Sequence, residues 1–158
     1  MLNRGLQIIL VCVIFCREIN AESLEEIYVD KILAFALRQG RIKSRDLWDL
    51  TWLRQRSIEP ALELLSNKLQ DHNVAVDDFL RKGAERVNAV LTERPVKVDF
   101  RNEMRRFLPA EMVAQTVDNE RFWDYLANEI DLLVRRAESS LINSKESDDS
   151  DDSDRFVM

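Results

Sequence analysis

Almost nothing in this chain can turn it sharply. Its 158 residues include 3 Gly and 3 Pro, against a hydrophobic fraction of 46% and a charged fraction of 33%. A many-stranded sandwich or barrel draws on Gly, Pro, Asn and Asp at each reversal, so the shortage excludes one and predicts a mainly α fold. At this length one domain with one apolar core is the expected organisation.

The helix signals are explicit from residue 23 onward. Ser23-Leu-Glu-Glu26 reads as a capping box: the Ser hydroxyl accepts from a first-turn amide while Glu26 reaches back. Leu24, Ile27, Tyr28, Ile32 and Phe35 recur at helical spacing, and Gly40 is a natural stop. A basic link, Arg41-Ile-Lys43, leads to a second helix from about Ser44 to Arg56. Ser57-Ile-Glu-Pro60 predicts the start of a third, with Pro in its first turn and Leu62, Leu65 and Leu69 leading to His72. A fourth starts at Asp77 or Asp78 and runs through Phe79, Leu80, Val87 and Leu91. Glu93 to Asp99 (ERPVKVD) reads as a loop. Helical segments flank Pro109, and a last amphipathic helix spans about Asn119 to Leu141, with Phe122, Leu126, Ile130 and Leu133 on one face. No repeat of fixed period appears.

The two ends differ from this body. Met1 to Ala21 holds an apolar run from Leu6 to Cys16, with Arg4 before it and Ala21 after it. That pattern resembles a secretory signal, and the run is too short to span a bilayer as a helix. Arg17 and Glu18 interrupt the signal pattern, so the favoured reading is an apolar strand over residues 6–15, with Cys12 and Cys16 as small buried thiols in a reducing compartment. At the other end Ser144 to Met158 carries six acids against Lys145 and Arg155. Such a Ser/Asp stretch buries too little apolar surface to order itself, and predicts a disordered acidic tail over 144–158 beyond a single mostly helical domain over 1–143. Removing the tail's −4 from the net charge of −6 leaves −2 for the body. That balance excludes a generally basic nucleic-acid-coating protein but permits a local basic site.

Chemistry-bearing residues are few. One His and two Cys argue against a closed zinc site, which needs four ligands, and no Gly-rich phosphate loop or nucleophile elbow occurs. His72 lies in the polar stretch Gln70-Asp-His-Asn73 and reads as a surface residue. Trp48, Trp52 and Trp123 can stack on bases, but packing is the favoured reading. Two polar features stand out on apolar faces. Lys31 shares the stripe of Ile27 and Phe35 on the first helix. On the second, Asp46 and Asp49 head a face that continues into Leu50 and Leu53. Buried carboxylates demand cationic partners, and Lys31, Lys43, Arg41 and Arg45 are nearest in sequence. Complementing the helix dipole accounts for an acid at Asp46 and less well for Asp49. An internal ion pair and a functional cluster both remain open from the residues alone.

The stretch from Glu22 to Leu53, ESLEEIYVDKILAFALRQGRIKSRDLWDLTWL, resembles the AbiEii/AbiGii-type nucleotidyl transferase toxins of abortive-infection and toxin–antitoxin systems. The shared features are a capped helix with Asp30-Lys31 followed by Ala34, then Lys43-Ser-Arg45-Asp46-Leu-Trp-Asp49-Leu50 after a basic link. Lys43 and Arg45 exchange the basic residue types usual at their positions. The segment from Phe100 to Pro109 is similar to the family's carboxy-terminal helical region, so the resemblance covers about residues 18 to 140. It implies the helical half of a nucleotidyltransferase-like fold, with the candidate strand beside it. It implies transfer of a nucleotide from an NTP to a tRNA acceptor with Mg²⁺ as cofactor, a cognate antitoxin as partner, no membrane association and a cytoplasmic location (secretion being the alternative if residues 1–21 are a signal). It further implies catalytic roles for Lys31, Asp46 and Asp49, and substrate binding by Lys43 and Arg45. The family's GSxxLRxxD motif and the metal-binding aspartate after it have no counterpart in this sequence, so the resemblance suggests a truncated or degenerate member. A non-catalytic helical module that binds an antitoxin or partner chain is the alternative function.

Overall fold

The computed structural model describes residues 22–151, with side chains over 22–144. The candidate strand at 6–15, its signal-like alternative and both cysteines lie outside the described residues. Seven α-helices follow in order: α1 (Leu24–Leu37), α2 (Ser44–Gln55), α3 (Leu65–Asp71), α4 (Val76–Thr92), α5 (Arg94–Met104), α6 (Ala110–Gln115) and α7 (Glu120–Asp151). A 3₁₀ turn, Leu62–Leu64, leads into α3, and no strand occurs among the described residues. The mainly α expectation holds.

α1 is the central helix, packed against α2 on one side and α4 on the other, while α7 lies across α2, α3 and α4. Two neighbours explain why α1 is buried well beyond a single stripe: Tyr28, Val29, Ile32, Leu33, Phe35 and Ala36 are all inside. They meet Leu47 and Leu50 of α2, Phe79 and Val90 of α4, and Leu126 and Ile130 of α7 in one core. Burying each large apolar side chain contributes about 1.5–3 kcal/mol. That contact set, rather than intrinsic propensity, makes helices as short as α3 and α6 persist.

Local details correct the sequence reading at three places. Ser23 caps α1, its hydroxyl accepting from the Glu26 amide at 3.2 Å, but the Glu26 carboxylate pairs with Lys68 at 3.2 Å instead of returning to the cap. The third helix does not begin at Ser57–Pro60. Ser57 is left-handed (φ 56°) and the Ile58 amide donates back to the Leu53 carbonyl, which closes α2. Glu59 is then held by Arg54 at 2.8 Å and Arg136 at 2.6 Å, which ties this turn between α2 and α7. The loop expected over Glu93–Asp99 is the first half of α5. Pro95 sits in its first turn, where a missing amide costs nothing, and burial of Phe100 and Met104 supports the helix downstream. Finally, α7 is capped by the Asn119 side chain, which accepts from the Arg121 amide at 3.0 Å. It passes Leu141 and runs as helical backbone through Asp151. Extending a formed helix requires no new nucleation.

Candidate functional site

α1 and α2 form an antiparallel helical hairpin whose reversal includes Gly40 in the left-handed region (φ 79°). Arg38, the C-cap residue of α1, follows Lys31 by two helical turns and so lies on its side of the helix; Asp46 and Asp49, at i and i+3, share a face of α2. Antiparallel packing matches them crosswise. Lys31 Nζ meets Asp49 Oδ2 at 2.5 Å, and Arg38 Nε meets Asp46 Oδ2 at 3.2 Å with its second nitrogen 3.5 Å from Oδ1. The Tyr28 hydroxyl fixes the same two helices further along, donating to the Leu50 carbonyl at 3.2 Å. Burial pushes that phenol up to about 12, outweighing the opposing influence of Arg54.

Above the two ion pairs lies a cavity of about 490 Å³. One wall is charged: Lys31 and Arg38 from α1, Lys43 from the link, and Arg45, Asp46 and Asp49 from α2. The other wall is mostly apolar: Trp48 from α2, with Met104, Phe107 and Leu108 from the end of α5 and the turn after it, and Glu103 beside them. The five residues to which the family resemblance assigns a role, Lys31, Lys43, Arg45, Asp46 and Asp49, therefore border one space. Asp46 is buried and Asp49 half-buried, while Lys31 is half-buried with its head at the cavity.

The partners differ in part from those nearest in sequence. Lys31 does face an acid, Asp49, but Asp46 is held by Arg38, which the sequence reading did not name. Its signal was available: Arg38 follows Lys31 by two helical turns. Arg41 points elsewhere, 3.8 Å from Asp99. Lys43 and Arg45 line the cavity with no acidic partner among the described residues, and the Arg45 guanidinium lies 4.5 Å from the centroid of the Phe107 ring. With Asp46 and Asp49 each matched by a cation, Lys43 and Arg45 stand against Glu103 alone, so the open part of the cavity is net positive. The remaining aromatics are mostly packing residues. Trp48 contacts Phe122 at 5.9 Å and Trp123 contacts Phe100 at 5.5 Å, whereas Trp52 is on the surface with Arg56 over it. His72 is exposed at the end of α3.

Chemically, cations that have no acidic partner among the described residues, beside apolar side chains, suit an anionic ligand with a hydrophobic part. A resident divalent metal does not fit the described residues. Both aspartates already carry a cationic partner, and no group of three or more His, Cys, Asp or Glu is placed to hold an ion among the described residues. No described helix is long and apolar enough to cross a membrane.

A mainly helical domain with a cation-lined cavity between the first described helices is the class that fold and site define. The family model described as "Nucleotidyl transferase AbiEii toxin, Type IV TA system" matches residues 9–128. The chain belongs to the AbiEii family, whose toxin–antitoxin designation implies an antitoxin partner. No curated protein and no solved structure matches it.

Proposed function

We propose that this chain binds an NTP in the cavity between α1, α2 and the end of α5, and transfers its nucleotide to a tRNA acceptor in the cytoplasm. The observation that carries the reading is the convergence of Lys31, Lys43, Arg45, Asp46 and Asp49 on one cavity, with Lys43 and Arg45 lacking an acidic partner among the described residues. Phosphoryl chemistry is mainly positioning plus neutralisation of charge on the transferring group, and cations in a partly dry cleft supply both. In this reading Lys43 and Arg45 receive the phosphates. The Lys31–Asp49 pair orients the α2 face, with Lys31 reaching the triphosphate. An acceptor hydroxyl oxygen bonds to the α-phosphorus, the bond from that phosphorus to the bridging oxygen breaks, and pyrophosphate leaves with the electron pair. The acceptor's proton passes to the Asp46 carboxylate. Magnesium belongs to the incoming triphosphate rather than to the described residues.

The test is transfer of label from each of the four NTPs to tRNA, with magnesium present, by the purified chain and by Asp46→Ala. Label on tRNA with the wild type, lost in Asp46→Ala, is the expected result; no transfer from any nucleotide overturns the activity. A second reading, a non-catalytic module that binds the antitoxin, is favoured by one observation: both aspartates are already closed by cations. Capture of the cognate antitoxin by a chain that transfers no label would select it.

A further inference from the structure

The cavity has two chemically different walls, and the charged one accounts only for the phosphate end of a ligand. We infer that Phe107 is the base-binding residue of this cavity, its ring stacking a nucleobase while Lys43 and Arg45 hold the phosphates. The inference rests on the NTP reading above and adds to it the residue that recognises the base.

Three observations carry it. Phe107 is 54% exposed and lines the same cavity as Lys43 and Arg45, neither of which has an acidic partner among the described residues. Its placement is firm. The amides of Phe107 and Leu108 both donate to the Met104 carbonyl, at 3.1 and 3.0 Å, and the Met104 side chain is buried in the core. The ring is therefore presented on a tight turn rather than carried by a long loop. A flat delocalised cation already lies over one face of the ring, the Arg45 guanidinium at 4.5 Å, so the ring takes a planar partner within this cavity. A nucleobase is such a group, and base–aromatic stacking is tolerant of base identity because every base has a π-face. Leu108, half-buried beside the ring, extends the apolar surface on which the base and ribose would rest.

The experiment is calorimetric titration of the full chain with ATP, CTP, GTP and UTP separately, and with inorganic tripolyphosphate, for the wild type, Phe107→Leu and Phe107→Tyr. Leu keeps apolar bulk without a π-face, and Tyr keeps the ring, so neither threatens the fold as a truncation to Ala does. The wild type is expected to bind its tightest NTP about tenfold more strongly than tripolyphosphate. Phe107→Leu should lose about tenfold for that NTP and nothing for tripolyphosphate, and Phe107→Tyr should match the wild type. If Phe107→Leu weakens both probes equally, or neither, the base-binding role is wrong while NTP binding stands. If the wild type binds neither probe, the NTP reading fails and this inference falls with it.

Discussion

Replacing Arg38 by Ala strips the Asp46 carboxylate of the guanidinium that faces both its oxygens. The cost lies between two limits. Breaking a fully buried pair costs about 3–5 kcal/mol, whereas exposed pairs are worth about 0.2–1 kcal/mol. Here the Asp46 side chain is 7% exposed and that of Arg38 45%, so one charge is buried and the other sits half in water. A coupling of about 1–2 kcal/mol follows, in the range of hydrogen bonds to charged groups. Asp46 also lies in the first turn of α2, where a negative charge gains about 0.3–1 kcal/mol from the dipole whether or not Arg38 is present. On an Arg38→Ala background, Asp46→Asn loses that gain but relieves an unpaired buried carboxylate, and the two nearly offset. A double-mutant cycle measured by urea unfolding at neutral pH tests this directly. The double variant should be little less stable than Arg38→Ala alone, and the coupling should persist in raised salt, because buried charges are weakly screened. Single effects that add within about 0.3 kcal/mol would refute the pairing, as would a coupling abolished by salt.

Three further outcomes follow from the core. Tyr28 is held neutral by burial, so its stabilising contribution is complete below the ordinary phenol value of 10.0 and is lost as pH rises through about 12. Alkaline unfolding curves should show that slope for the wild type and not for Tyr28→Phe. Leu126→Ala, at a fully buried position of α7, should cost about 2–5 kcal/mol in urea unfolding; under about 1 kcal/mol would place α7 wrongly. Gly83→Ala in α4 puts a methyl 3.4 Å from Val134 Cγ1 and 4.0 Å from Ala36 Cβ. Helix propensity should outweigh that close contact and raise stability by about 0.5 kcal/mol; a loss above about 1 kcal/mol would show that α4 and α7 cannot give way.

The helices that announce themselves in sequence do so through local chemistry. Ser23 and the stripe of Leu126, Ile130 and Leu133 needed no tertiary information, because a cap and a period are properties of neighbouring residues. Lys31, Asp46 and Asp49 were legible for the same reason: helical spacing puts them on apolar faces. Their cross-pairing was not, since it depends on the antiparallel register of α1 and α2, and that register gives Asp46 to Arg38 rather than to a nearer cation. The helix stops at Ser57 and Asn73 use left-handed residues other than Gly, so the chain's few glycines did not mark them. The segment ERPVKVD reads as a loop by composition, yet it is helical because the residues after it are buried. Phe107 carries no local signal at all. Its meaning comes from the cavity that α1, α2 and α5 enclose together.

An NTP bound in that cavity would lie against Trp48 and the turn at Phe107. Photolabelling the full chain with an azido-substituted NTP, followed by peptide mapping with unlabelled NTP as competitor, tests it most directly. Adducts confined to the peptides bearing Trp48 and Met104 to Leu108, and suppressed by the competitor, are the expected result. Adducts on the outer faces of α4 and α7, or labelling that the competitor leaves unchanged, would contradict it.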